Sequence, residues 1–143
     1  MSQIEIFKHP ENIKIPKQLN KEFIIKFIND CVDYFLIKTI CISIVFTNDE
    51  QIKFLHKKYF KKNTITDVIT LDWSESKNID GEVYINLDQT KRQAKLYKQT
   101  FLQEVSRLVL HGFLHLIGYD DSTSKKQKIM LSQQELLILK FLK

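Results

Sequence analysis

The chain has 143 residues, of which 43% are hydrophobic and 27% are charged, and its formal net charge is +5. These values are typical of a globular protein and exclude a disordered or fibrous one. The length predicts a single domain over residues 1–143. No stretch approaches the roughly 20 apolar residues of a membrane span, and the first residues lack the apolar segment of a signal peptide. We therefore expect a cytoplasmic protein with no membrane partner, and the positive charge favours a polyanionic one.

The first half of the chain alternates between strand and helix patterns. Residues 4–7 form a short apolar stretch with strand character, and residues 40–46 are a β-branched run typical of a buried strand. Between these strands, apolar residues recur at every fourth position over about residues 17–37, which predicts a long amphipathic helix. A second helix is predicted from capping residues at 47–49 to about Phe60.

Cys31 and Cys41 are the two cysteines of the sequence, and each lies within an apolar run. They do not have the C-x-x-C spacing of a metal-binding or redox pair. We expect both to be buried, reduced thiols of a cytosolic protein.

The second half begins with two predicted strands and continues as helices. Residues 66–73 and 82–88 have strand character, and the polar turn between them predicts an antiparallel pair. A T-x-x-Q capping box opens a helix at Thr100, and a last helix is predicted over about residues 125–142. The resulting order, β-α-β-α-β-β-α-α-α, predicts a single α/β domain of the α+β kind. It would have one mixed, mostly four-stranded sheet with helices packed on it.

The stretch HGFLHLIGYDD, residues 111–121, contains two of the four histidines and two of the three glycines of the chain. His111 and His115 are four residues apart, which places them on one face of the predicted helix. Gly118 is placed to end that helix in the left-handed conformation, so that the chain turns back and Asp121 reaches the same ion. Two imidazoles and one carboxylate leave a fourth position for water, as in catalytic zinc sites. The alternative is that the histidines are merely polar residues at a helix edge.

Zinc peptidases share this histidine spacing, but they place a glutamate directly after the first histidine as general base. In this chain the corresponding position is Gly112. The missing base counts against proteolysis.

The motif of residues 111–121 resembles that of the YbeY-type endoribonucleases, metal-dependent proteins of bacterial ribosomal RNA maturation. The family motif reads H-G-x-L-H-L-x-G-Y-D-H, and HGFLHLIGYDD matches every fixed position except the last. The segments 55–73 and 79–88 are also similar to the family, so the likeness runs from about residue 40 to the C-terminus. The resemblance implies a YbeY-like metallohydrolase domain.

The resemblance also implies that His111, His115 and the residue at position 121 bind one metal ion. Asp121 stands where the family pattern has histidine. A carboxylate can coordinate the ion, but its negative charge weakens the ion as a Lewis acid and favours harder metals. We expect Zn²⁺, with Mn²⁺ or Ni²⁺ as alternatives. Phe60 is a second departure, because the family segment has an arginine there, so no phosphate-binding role is transferred to this position.

Residues 52–62 combine five lysines with three aromatic side chains and His56. One interpretation is a surface that follows RNA phosphates, with Tyr59 or Phe60 stacking on a base. The other is a solvated helix face over an apolar side, with His56 as an ordinary helix residue. Under the first interpretation, the RNA-binding residues are Lys57, Lys58, Lys61 and Lys62.

Two further pairs are candidates for a role near the metal. Thr66 and Asp67 are residue types that commonly form a cap or a turn. Their place in the family-like segment implies the alternative, that they line the cleft. Glu104 and Arg107 lie seven and four residues before His111. They are expected to form an exposed ion pair, with the orientation of a histidine ring as the alternative role.

These observations and the resemblance predict a metal-dependent endoribonuclease, specific for single-stranded RNA, in ribosomal RNA maturation and ribosome quality control. The implied partners are an rRNA precursor and a ribosomal subunit or ribosome-associated proteins. The proton acceptor is open, and either water or an RNA 2′-hydroxyl is the nucleophile. The rival functions are a zinc metalloprotease and a non-catalytic ribosome-assembly factor in which the metal only joins the helix to its loop.

Overall fold

The computed structural model describes residues 2–142, which form a four-stranded mixed sheet with five helices packed on it. The elements follow in the predicted order, which confirms the predicted α/β architecture. The strands are β1 (Ser2–Lys8), β2 (Ile40–Thr47), β3 (Val68–Asp72) and β4 (Ile79–Asn86). The helices are α1 (Lys21–Tyr34), α2 (Asp49–Phe60), α3 (Leu87–Leu96), α4 (Phe101–Leu116) and α5 (Ser124–Phe141).

The strands lie in the order β1-β2-β4-β3 within the sheet. β1, β2 and β4 are parallel, with Ile44 of β2 beside Val83 of β4. β3 is antiparallel to β4, as predicted. The amino end of β3 therefore lies at the carboxyl end of β4, where the Asn86 N–H donates to the Asp67 carbonyl at 2.8 Å. The Asn86 side-chain amide donates to the Thr66 carbonyl at 3.1 Å, which fixes the segment that precedes β3.

Side-chain caps set the helix boundaries and correct some of the predicted ones. α1 begins after Asn20, whose side chain accepts the N–H of Phe23, so the helix is shorter than the predicted 17–37. Asn86 caps α3 in the same way, which ends β4 at that residue instead of at 88. The capping box at α4 is confirmed, since Thr100 and Gln103 bond each other's backbone N–H.

The two faces of the sheet are covered by different helices. The larger core lies between α1, α4 and α5 and the sheet face that carries Val83, whereas α2 packs on the opposite face. Alternation along each strand produces this division, because successive side chains point to opposite faces. The small core under α2 consists of Ile52, Leu55, Ile69 and Leu71, with Tyr84 packed against it.

The two cysteines differ in exposure. Cys31 is fully buried in α1, and burial raises the pKa of its thiol to about 12. Cys41 is only half-buried, so the expectation that both thiols are buried is wrong for this residue. Its side chain points to the sheet face opposite Ile40 and Ile42, with Sγ 4.0 Å from Oε1 of Gln3 on β1.

Candidate metal centre

The last two turns of α4 carry His111 and His115 on one face, with ring centroids 4.8 Å apart. Asp121 returns to the same place, and its Oδ2 lies 3.8 Å from Nε2 of His115. One ligand atom from each of the three side chains lies within 4.8 Å of the others. We call these three residues the metal triad. The donor set, two imidazoles and a carboxylate, is one that suits zinc and neighbouring divalent metals.

A helix-ending turn brings Asp121 to the histidines. Gly118 has φ +111°, in the left-handed region that its sequence position predicted. Its N–H donates to the His115 carbonyl, and the N–H of Tyr119 donates to the carbonyl of Leu114. These two bonds are the Schellman pair, so the direction of the loop is set by the backbone of the helix end.

Gln134 of α5 orients the first histidine. Its side-chain oxygen lies 2.9 Å from Nδ1 of His111, and the residue is 4% exposed. Because an amide oxygen only accepts hydrogen bonds, Nδ1 carries the proton and Nε2 keeps its lone pair for a cation. A partner of this kind fixes both the tautomer and the ring orientation of a metal-binding histidine.

Glu104 and Arg107 do not form the exposed pair that the sequence predicted. Glu104 is 2% exposed and accepts a bond from the Gln93 side chain at 3.0 Å. Arg107 pairs with Glu135 of α5, and its Nε lies 3.9 Å from Glu104. Glu104 is buried facing α3, whose Gln93 bonds its carboxylate, whereas Arg107 reaches a carboxylate of α5. No bond joins this pair to the histidines among the described residues.

Burial and the neighbouring His111 ring favour the neutral form of the second histidine. Burial, followed by the neighbouring His111, lowers the pKa of His115, and Asp121 opposes this shift. A neutral imidazole is the form that binds a metal. The adjacent Asp120 has its own partners within the loop, and hydrogen bonds from Ser122 lower its pKa to about 2. Asp120 thus belongs to the hydrogen bonding of the loop, and Asp121 is the carboxylate that faces His115.

The metal triad lies in the wall of a cleft of about 630 Å³. Thr66 and Asp67 line this cleft beside the start of β3, in agreement with their possible cleft role. His56 and Phe60 of α2 line it from the other side, although the sequence suggested only an ordinary helix position for His56. The volume is in the range of pockets that bind small ligands or a part of a larger one.

The four candidate RNA-binding lysines are not equivalent. Lys62 lines the cleft, whereas Lys57, Lys58 and Lys61 are exposed outside it. Lys58 lies over the ring of Tyr59, with Nζ 5.2 Å from the ring centroid. Among the described residues that line the cleft, Lys62 is the sole lysine or arginine. The described cleft lining thus offers one permanently cationic side chain, that of Lys62.

Gly112 lies where α4 touches the sheet. A Cβ at this position would be 2.5 Å from Cγ1 of Val83 and 3.1 Å from Oγ1 of Thr70. The residue after the first histidine thus faces β3 and β4, and the chain has no room there for a glutamate. The peptidase general base is excluded by packing as well as by sequence.

Comparison with known proteins identifies the family. The family model of endoribonuclease YbeY matches residues 5–142. The chain belongs to the YbeY family. The resemblance found in the histidine motif is thus confirmed over almost the whole chain.

Individual relatives agree with this family. Endoribonuclease YbeY of Amoebophilus asiaticus is 33% identical over 143 residues, which is 97% of this chain and 95% of that protein. Endoribonuclease YbeY of Karelsulcia muelleri is 38% identical over 102 residues, covering 71% of this chain and 72% of the relative. The solution structure of TM1509 from Thermotoga maritima has a TM-score of 0.64 at 22% identity, covers 95% of this chain and 87% of its own, and shares the fold.

Within residues 2–142, the structure contains no helix of the length and apolar character needed to cross a membrane. α5 is the longest helix at 18 residues, and it carries lysines near both of its ends.

Proposed function

We propose that this YbeY-family chain is a metal-dependent endoribonuclease that cleaves single-stranded RNA during ribosomal RNA maturation. One observation carries the proposal: the metal triad, two imidazoles and one carboxylate, converges in the wall of an open cleft. The names of the relatives and the net positive charge support RNA as the substrate. Ribosome quality control, a cytoplasmic location, and contacts with a ribosomal subunit or ribosome-associated proteins belong to the same proposal. We also propose that residues 1–143 form a single domain.

His111, His115 and Asp121 would hold the metal. When bound, a divalent ion supplies Lewis-acid activation of a phosphoryl oxygen and of the attacking group. Gln134 holds the His111 ring so that Nε2 faces the site. We propose Zn²⁺, with Mn²⁺ or Ni²⁺ as alternatives, because the Asp121 carboxylate makes the donor set harder than three imidazoles would be.

The residues of the cleft also provide for the proton and for the RNA chain. Asp67 and Asp72 line the cleft outside the metal triad, and either carboxylate can accept a proton from the attacking hydroxyl or water. Thr66 offers a hydroxyl beside Asp67, with Oγ1 3.4 Å from Oδ1. Lys62 is placed for a phosphate, and Lys57, Lys58 and Lys61 extend positive charge from the cleft along α2 and the residues that follow it.

A cleavage assay tests the proposed function. Purified, metal-loaded protein is incubated with an unstructured RNA and with the same RNA in a duplex, and His115→Ala is compared with wild type. The exposed His9, on the loop after β1, supplies the matched control His9→Ala. We expect cleavage of the single strand by wild type and by His9→Ala, and its loss in His115→Ala with the circular dichroism spectrum unchanged. Equal cleavage by His115→Ala would contradict the proposal.

Phe60 favours a second candidate, a non-catalytic ribosome-assembly factor. The cleft has this apolar ring where the family segment has an arginine, so one cation for phosphate is missing. Protein that binds ribosomal subunits but cleaves neither RNA nor casein would establish this alternative. Cleavage of casein would instead establish the metalloprotease.

A further inference from the structure

Two adjacent aromatic residues at the end of α2 point in different directions. Tyr59 packs edge-on against Trp73 of the loop after β3, with ring centroids 6.4 Å apart. Phe60 lines the metal cleft and is 45% exposed. Of the two rings that the sequence offered for stacking, the one that lines the cleft of the metal triad is therefore Phe60.

The Phe60 ring is held in place by its neighbours. The His56 ring lies one turn earlier, edge-on at a centroid distance of 5.8 Å. His56 is itself fixed, since its Nδ1 lies 3.0 Å from the carbonyl oxygen of Thr64 and, facing an acceptor, must donate. α2 ends immediately afterwards at Lys61 in the left-handed conformation, whose N–H donates to the Lys57 carbonyl. The ring is thus exposed on one side and supported on the other before any ligand binds.

We propose that Phe60, supported by His56, is a stacking platform for a nucleobase of the RNA bound at the metal triad. This inference rests on the proposed function. An aromatic ring with a free face inside a polar cleft gains from covering by another π-system, and nucleobases stack on such rings without regard to sequence. Lys62, two residues further on and in the same cleft, is placed for the phosphate of that nucleotide.

The platform selects single-stranded RNA. A base within a duplex is already stacked and paired, so it reaches Phe60 only after unstacking, whereas a base of a flexible strand is free to stack. Because the ring contacts the base and not a phosphate, this part of the RNA-binding free energy should depend less on salt than a phosphate contact does.

The test measures both binding and cleavage of an unstructured RNA by wild type, Phe60→Leu and Phe60→Trp. The matched control is Phe54→Leu, because Phe54 lies on the same helix, is 57% exposed and is not among the cleft residues. We expect Phe60→Leu to weaken binding and raise KM by about 5- to 150-fold, equivalent to roughly 1–3 kcal/mol of base stacking, with a smaller effect on kcat. Phe60→Trp should retain wild-type affinity, and Phe54→Leu should be unchanged.

A set of RNAs with an abasic nucleotide at successive positions identifies the stacked base. For wild type, an abasic nucleotide at one position should weaken binding by the same factor as Phe60→Leu, and the two changes combined should add nothing further. Independent effects, or an unchanged KM in Phe60→Leu, would overturn the platform while leaving the nuclease intact. Phe60-dependent binding without cleavage would sustain the platform and contradict the proposed enzyme. Neither binding nor cleavage by wild type would overturn both.

Discussion

Replacing Gly112 by alanine tests the close contact between α4 and the sheet. The added Cβ would lie 2.5 Å from Cγ1 and 2.9 Å from Cγ2 of Val83, and both distances are well below the roughly 3.5–4.0 Å optimum for carbon atoms. Val83 is 0% exposed, and its β-branched side chain has little freedom to rotate away. Overpacking of this kind costs about 1–3 kcal/mol. Because the overlap is large, we take about 3 kcal/mol.

Helix propensity opposes this cost. Alanine is more favourable than glycine within a helix by about 1 kcal/mol. The net expectation for Gly112→Ala is a free energy of unfolding lowered by about 2 kcal/mol. Urea denaturation followed by circular dichroism measures this change, and the midpoint should fall without a change in slope.

The double variant Gly112→Ala with Val83→Ala provides the control. Val83→Ala alone should destabilise by about 1–3 kcal/mol through the cavity it leaves. Since the new methyl group would fill part of that cavity, the double variant should be more stable than the sum of the two changes by at least about 1 kcal/mol. Gly112→Ala with unchanged or increased stability, or strictly additive effects, would refute the close contact and the steric argument against a glutamate.

Three further predictions concern the site and the thiols. Gln134→Leu should weaken metal binding by about 10- to 100-fold, because His111 loses its hydrogen-bond partner, whereas Gln134→Glu should retain the affinity. Competition with a chelator measures both affinities, and wild-type affinity in the leucine variant would show that the partner is dispensable. Asp121→Ala should lower the metal content found by elemental analysis, and Asp121→His should shift preference from Mn²⁺ toward Zn²⁺; an unchanged content in the alanine variant would point to Asp120 or His56 as third ligand. At pH 8 a thiol reagent should modify Cys41 slowly and Cys31 only after unfolding. The reason is that burial raises the pKa of both thiols, so that little reactive thiolate forms, least of all at Cys31. Rapid modification of both cysteines in the folded protein would contradict this prediction.

Local sequence signals were sufficient for most of the fold. The β4 and α3 boundary shows their limit, because Asn86 ends a strand and caps a helix at once, and the apolar pattern continues through Leu87. The start of α1 was misplaced for a similar reason, since the apolar period continues back to Leu19 while the cap is Asn20. Periodicity reports which face is apolar, whereas hydrogen bonds of single side chains decide where the element begins.

The candidate metal site also combines residues that local sequence predicts with a residue that only the packing of the helices reveals. His111, His115 and Gly118 follow from helix geometry, because four residues make one turn and glycine accepts a positive φ. Gln134 could not be predicted, since it reaches His111 from a helix 23 positions later in the chain. Its signal would have been a buried polar residue on the inner face of α5, which becomes visible only when the packing of α5 on α4 is known.

The tertiary structure likewise decides which of the candidate lysines lines the cleft. The sequence grouped Lys57, Lys58, Lys61 and Lys62 by their proximity along the chain. The left-handed end of α2 at Lys61 redirects the backbone, and Lys62 is the one of the four that lines the cleft.

The central claim is that RNA cleavage depends on a metal held by His111, His115 and Asp121. The most direct measurement is a titration of chelator-stripped wild-type protein and His115→Ala with Zn²⁺ and Mn²⁺, recording bound metal and the rate of single-strand cleavage on the same samples. The account predicts that the wild-type rate rises in proportion to bound metal until each chain holds a single ion, and that His115→Ala neither retains the ion nor cleaves. A rate that is unaffected by stripping, or that persists in His115→Ala, would contradict it.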